Sequence, residues 1–289
     1  MRIEGWSDWA SWQRDRHAED ERFNEDYRAR LEALAQSASG GITASCTACG
    51  ASVVFRARRH SRLRDDAHRA GMHGVEIHRE GLLCPSCGLP ARARAAFVVL
   101  DAASLAREAE VMIAEHGSAA WRQLRRRHPS AIGTEFNPQR RPLLWRAWKR
   151  LRHGAVPHAD LRALPFGPAR FDAMLAFEVF EHIEAIDVAL AECARSLRPG
   201  SVLVATAPFD EASPDDVLQA TTDEEGALHW RGAEAWHRDP LGGRVPCFHR
   251  FGWKILDRLR DAGFRDAQWC RIQRPEAALF GLWVLRATR

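Results

Sequence analysis

The chain has 289 residues, 46% of them hydrophobic and 28% charged, with a formal net charge of +4. That length and apolar content suit one large domain, or a large domain with a small one. The mildly basic balance does not by itself specify a nucleic-acid partner. No apolar run approaches the ~20 residues that a membrane span needs, and the first twenty residues are charged throughout, without a signal-peptide core. The expectation is therefore a cytoplasmic protein in a reducing compartment, whose seven cysteines serve as thiols or metal ligands rather than disulfides.

Residues 5 to about 36 predict one amphipathic helix. Trp6, Trp9 and Trp12 recur every three residues, and Phe23, Tyr27, Leu31 and Leu34 continue at spacings of four, four and three. Such a stripe packs either on its own domain or against a second copy, so a homodimer through this helix is one expectation. The run Ser37-Ala38-Ser39-Gly40-Gly41 ends the helix and opens a linker.

Two cysteine pairs follow, in Cys46-Thr47-Ala48-Cys49-Gly50 and Cys84-Pro85-Ser86-Cys87-Gly88. Two residues between cysteines, followed by glycine, make a tight turn that aims two thiolates at one ion. Two such turns supply a closed tetrahedral set, which suits structural Zn²⁺ and leaves no open position for catalysis. His60, His68, His73 and His78 lie in the 34-residue gap and read as solvated, because the cysteine set is already complete. Arg56, Arg58, Arg59, Arg62 and Arg64 in the same gap read as an exposed face or as a contact for an anion or RNA.

From about residue 109, short apolar runs alternate with helical stretches, the pattern of a doubly wound α/β sheet. Val111–Ala114 is a candidate first strand, running into Glu115-His116-Gly117-Ser118 and a helix from Trp121 to Arg127. Ser130–Gly133 is a second, ending in Thr134-Glu135. Glu135 lies 20 residues after Glu115, the spacing at which a nucleotide-binding α/β unit sets a carboxylate on a ribose. A third strand is expected to end near Ala159-Asp160-Leu161. Phe171–Phe177 is the central strand, with Glu178 to His182 at its carboxyl edge. A helix over 188–197 buries Leu190, Cys193 and Leu197 and ends at Pro199-Gly200, and Val202–Ala207 is the next strand. Cys193, Cys247 and Cys270 read as buried packing residues.

The run from Asp160 to Phe209, with LAFEVFEHI at its centre, resembles the core of the class I S-adenosylmethionine-dependent methyltransferase superfamily, of its type 11 kind. The tail FGWKILDRLRDAGF (251–264) is similar to the last helix of that fold, and REGLLCPSCGLPARARA (79–95) to a zinc-binding leader before some bacterial members. The resemblance implies a Rossmann-like methyltransferase sheet, mostly parallel with an antiparallel last strand. It would be preceded by an N-terminal helix (1–40) and a small zinc-ribbon-like module (41–96), with the methyltransferase-like domain over 97–289. It implies S-adenosylmethionine and Zn²⁺ as cofactors, with Glu115, Gly117, Glu135, Asp160, Leu161, Phe177 and Glu178 at the former and Cys46, Cys49, Cys84 and Cys87 at the latter. For Asp160 the implied role is an adenine contact, and a helix cap at Leu161 is the alternative. The superfamily's first motif, an acid followed by alternating glycines, is matched by Glu115 and Gly117, but Ala119 and Trp121 stand at the later glycine positions.

The acceptor is least determined. Insertions after the strand ending at Ala207 cover the substrate in this fold, and here that stretch carries His237, Asp239 and His249. A histidine could take a proton from an acceptor hydroxyl, and each of the three is equally a hydrogen-bonded loop residue. His182 reads as closing the strand edge beside the cofactor. The basic, aromatic stretch 140–152 reads as a helix with a cationic outer face, or as a contact for nucleic acid or an anionic membrane surface. The expectation is methyl transfer to an oxygen or nitrogen of a small molecule, with a sugar suggested by resemblance alone. The rival is a catalytically degenerate methyltransferase fold acting as a zinc-containing binding or scaffold protein in contact with RNA.

Overall fold

A computed structural model describes residues 3–36, 41–56, 79, 82–136, 143, 151, 157–238 and 243–289. Asp239, the four histidines between the cysteine pairs, the arginines from 58 to 64, and the basic stretch apart from Leu143 and Leu151 lie outside the described residues.

In chain order the elements begin with β1 (Glu4–Trp6), α1 (Trp9–Gln36), β2 (Ile42–Ser45), β3 (Ser52–Phe55) and α2 (Ala91–Asp101). There follow β4 (Val111–Ile113), α3 (Ala119–Arg127), β5 (Ile132–Gly133), β6 (Phe171–Phe177), α4 (Ile186–Ser196) and β7 (Leu197–Thr206). Short strands β8 (Val217–Leu218), β9 (Ala220–Thr222), β10 (Leu228–Trp230), β11 (Trp236–Arg238), β12 (Arg244–Pro246) and β13 (His249–Arg250) come next. The chain closes with α5 (Ile255–Asp261), β14 (Asp266–Arg274) and β15 (Leu279–Thr288). The large sheet has the order β1-β14-β15-β7-β6-β4-β5. It is parallel across β5-β4-β6-β7 and turns antiparallel at β15, the expected α/β architecture. Among the described residues no helix is long and apolar enough to cross a membrane.

Two compact units divide the chain. One comprises residues 1–6, 10–104 and 269–284, the other 7–9, 105–268 and 285–289. In the first unit, β2 and β3 form a hairpin in register Ile42↔Phe55. Trp6 and Trp12, both buried, pack edge-on against Trp283. Part of the tryptophan stripe thus packs within its own unit; the side chains of Tyr27, Leu31 and Leu34 lie outside the described residues.

In the second unit, local sequence accounts for the core elements. β6 is apolar on both faces because helices cover a parallel sheet on both sides. α4 buries Ile186, Ala189, Leu190, Cys193 and Ala194, spacings of three and four that make one helical stripe. α3 is opened by Ser118, whose Oγ accepts the Trp121 amide at 2.9 Å, and ends in Arg125, Arg126 and Arg127, which oppose the negative end of the helix dipole. Two expectations shift. α4 stops at Ser196, and β7 starts at Leu197 paired with Phe171; the register slips between Phe171 and Ala173, and Gly200 takes a left-handed φ of 84° there. Of the expected third strand, the described residues show a parallel bridge between Glu135 and His158.

Candidate cofactor and metal sites

In the first unit, both cysteine turns adopt one geometry. Cys46 N bonds Ala51 O and Gly50 N bonds Cys46 O, while Cys84 N bonds Leu89 O and Gly88 N bonds Cys84 O, all at 2.8–2.9 Å. Gly50 and Gly88 take φ of 73° and 78°, which a β-carbon would strain. The turns face each other: Cys46 Sγ is 3.8 Å from Cys87 Sγ, and Cys49 Sγ is 3.8 Å from Cys84 Sγ. A tetrahedron of thiolates at the usual Zn–S length of about 2.3 Å has edges of about 3.8 Å, so the four residues fit such an ion. Hydrogen bonding from Cys87 holds the Cys46 thiol down, at about 5. Beside them Arg94, fully buried, donates to the carbonyls of Ala277 (2.7 Å), Ala278 (3.1 Å) and Leu82 (3.2 Å) and lies 4.1 Å from the Phe55 ring centre. Burial lowers its pKa, and the thiolates of the four cysteines work against that.

In the second unit, the chain leaves β4 to one side for β5, then crosses to the other side for β6. The carboxyl end of β4 is thus the point where strand order reverses, the place at which open α/β sheets take their ligands. Glu115, His116 and Gly117 form the turn there, with Gly117 at φ 70°. The buried His116 sets Nδ1 3.1 Å from Gly133 O, and its ring centre is 4.5 Å from that of Trp121. Trp121, at the third glycine position, is turned onto Gly133 at the end of β5. Beyond it Glu135 is held by backbone bonds on both sides, from its N to Pro157 O and from Ala159 N to its O.

Asp160 lies in a turn, not at the start of a helix, and its carboxylate is taken by Arg162 through the backbone N and Nε on Oδ1 and a terminal amine on Oδ2. The guanidinium holds this carboxyl below its usual range. Leu161 and Phe177 are buried. Glu178, immediately after β6, adopts φ 53°. A left-handed non-glycine residue costs on the order of 1–2 kcal/mol, and such strain collects at functional sites.

The acceptor candidates do not converge. His249 is buried in the β13–β8 pairing, with Nε2 3.0 Å from Glu184 O and its ring stacked on Phe251; burial lowers its pKa. His237 instead joins His182 and Cys247, their ligand atoms all within 4.8 Å of one another. His182 ends the single 3₁₀ turn after β6, and the β11–β12 hairpin brings His237 and the residue after β12, Cys247, to it. Glu181 is completely buried here, neither carboxylate oxygen accepting an aligned hydrogen bond, with Oε1 3.3 Å from His237 Nδ1 and 3.7 Å from His182 Nε2. Contacts with Cys247 and then Glu181 raise His237 to about 10. Burial works against ionisation of Cys247, but the two imidazoles outweigh it and lower its pKa.

Sequence reasoning passed over Glu181 and read Cys247 as packing. The available signal was the Glu181-His182 pair a few residues past the central strand.

Residues 116–205 match the model of a family described as a methyltransferase domain. No curated protein matches the chain. Among solved structures, an S-adenosylmethionine dependent methyltransferase from Mesorhizobium loti is 19% identical, with a TM-score of 0.42 over 68% of this chain and 98% of its own. DesVI of Streptomyces venezuelae is 17% identical, with a TM-score of 0.45 over 80% of this chain and 98% of its own. A putative S-adenosylmethionine dependent methyltransferase from Listeria monocytogenes is 14% identical, with a TM-score of 0.43 over 69% and 98%.

Proposed function

We propose that the chain is an S-adenosylmethionine-dependent methyltransferase that modifies an oxygen or nitrogen of a small molecule, with sugars the first class to screen. The observation that carries this reading is the reversal of strand order at β4, whose carboxyl end runs into the stretch that matches a methyltransferase domain from residue 116 on. When bound, the cofactor supplies a methyl group already activated on a sulfonium. The protein's part is to hold it. The Glu115–Gly117 turn offers backbone to the methionine end, Glu135 offers a carboxylate to the ribose hydroxyls, and Asp160 with Leu161 borders the adenine. Phe177 and the strained Glu178 close the edge of β6.

In the same reading, Cys46, Cys49, Cys84 and Cys87 hold a structural Zn²⁺. The 3.8 Å edges of the set support it, and a closed set of four thiolates keeps that ion out of catalysis.

Calorimetric titration of the zinc-replete protein with S-adenosylhomocysteine tests the cofactor reading. Saturable binding in the micromolar range is expected. A folded sample that binds nothing up to millimolar ligand would remove the enzyme reading and leave a zinc-containing scaffold.

A further inference from the structure

We infer that His182, His237 and Cys247 form a second metal site, for a divalent ion of the zinc class, separate from the four-cysteine set. The inference does not rest on methyl transfer. Two imidazoles and a thiolate are the donor types that such ions prefer, and hard cations such as Mg²⁺ and Ca²⁺ select oxygen sets instead. Among the described residues, only this trio and the four cysteines gather three or more such donors within 4.8 Å.

The surroundings point to an ion independently of the trio. A metal-bound histidine commonly donates its other ring N–H to a carbonyl or carboxylate, which fixes the ring. His182 Nδ1 lies 2.7 Å from the carbonyl of Pro246, leaving Nε2 for a ligand. His237 Nδ1 lies 3.3 Å from Glu181 Oε1, so the carboxylate faces this ring without an aligned hydrogen bond to it. Glu181 is the stronger sign. A carboxylate with no exposed surface and no aligned hydrogen bond is costly to bury unless a positive charge stands next to it, and either a charged His237 ring or an ion held by the trio supplies one. A divalent ion, one thiolate and one carboxylate sum to zero charge.

Tetrahedral Zn–N and Zn–S lengths of about 2.0–2.3 Å put donors about 3.5 Å apart, so donors now within 4.8 Å of one another need only a small closure on binding. His237 gives a route in, since its side chain is 39% exposed while Glu181 is wholly buried.

The test is metal content of the untagged full chain, counted per chain after gel filtration, followed by Co²⁺ substitution and its thiolate-to-metal absorption. Cys247→Ser and His237→Ala are compared with wild type, and Cys84→Ser serves as the control for the four-cysteine set. Expected is the loss of one equivalent in either of the first two variants, with circular dichroism unchanged, and a wild-type Co²⁺ spectrum that contains a single-thiolate component. His237→Ala, at a partly exposed ring, remains informative if Cys247→Ser misfolds. Equal metal content in wild type and His237→Ala, or a purely four-thiolate spectrum, would overturn the site. If Cys84→Ser loses nothing while Cys247→Ser loses an equivalent, the four-cysteine zinc fails and this site stands. S-adenosylhomocysteine binding is read separately, so neither result decides the other.

Discussion

Trp121 and Gly133 are sterically matched: a β-carbon on residue 133 would stand 2.4 Å from Trp121 Cδ1 and 2.6 Å from Glu115 O. Trp121 therefore lies where a glycine at the end of the neighbouring strand makes room for it. Gly133→Ala is expected to destabilise the protein by about 1–3 kcal/mol through overpacking. Combined with Trp121→Ala, its cost should fall well below the sum of the two single changes. Urea unfolding of the four proteins measures the coupling; simple additivity would show that the two residues do not share the space.

Glu135→Ala should weaken S-adenosylhomocysteine by tenfold or more, a loss of about 1.4 kcal/mol, without changing the circular dichroism. Glu178→Gly separates strain from function. Relieving φ 53° should raise stability by up to about 1 kcal/mol while ligand affinity falls. A variant that gains stability and keeps full affinity would mean that the left-handed residue serves no ligand.

Much of the sheet was legible in the sequence, for physical reasons. Phe171–Phe177 is apolar on both faces because it is covered on both sides, and the structure bounds β6 at the same residues. The four cysteines announce themselves through spacing, since one tight turn aims each pair. The His182–His237–Cys247 group was not legible as a group. Its members are 55 and 10 residues apart, and only the β11–β12 hairpin brings them together. Nor could the sequence show that Asp160 is engaged by Arg162, two residues on, because that depends on the turn the chain makes there.

Chelation should act on the first unit before the second. A metal held by both cysteine turns is coupled to their folding, so a strong chelator is expected to lower the melting temperature and expose the amides of β2 and β3 to hydrogen exchange. β4, β6 and β7 should stay protected. Uniform loss of protection would mean that the units unfold together.

Arg94→Met should cost about 2–4 kcal/mol, because three carbonyls lose their donor inside the core. It should also weaken zinc, since a Zn²⁺ with four thiolates carries net negative charge that the guanidinium opposes. Unfolding midpoints and competition with a chromogenic chelator give the two readouts.

Glu192 supplies a pH signature. Arg195, which clamps both of its oxygens, holds its carboxyl below the usual value, so its stabilisation is present above the unfolded pKa of about 4.3 and disappears as pH falls through the lower folded value. Glu192→Gln should therefore be less stable at pH 7, by about 1 kcal/mol or less for a pair this exposed, and the gap should narrow as pH falls through the lowered folded value. A constant gap across that range would assign the loss to the bond from Leu164 N instead.

The first compact unit draws residues 10–104 from early in the chain and 269–284 from near its end. On the ribosome, the carbonyls of Ala277 and Ala278 that receive the Arg94 guanidinium emerge late. The cysteine turns can close on an ion as soon as residue 87 is clear of the exit tunnel, but the buried cation behind them must wait for nearly two hundred more residues. Until residues 277 and 278 are made, the Arg94 guanidinium lacks two of its three carbonyl acceptors, and termination before them leaves the first unit unfinished.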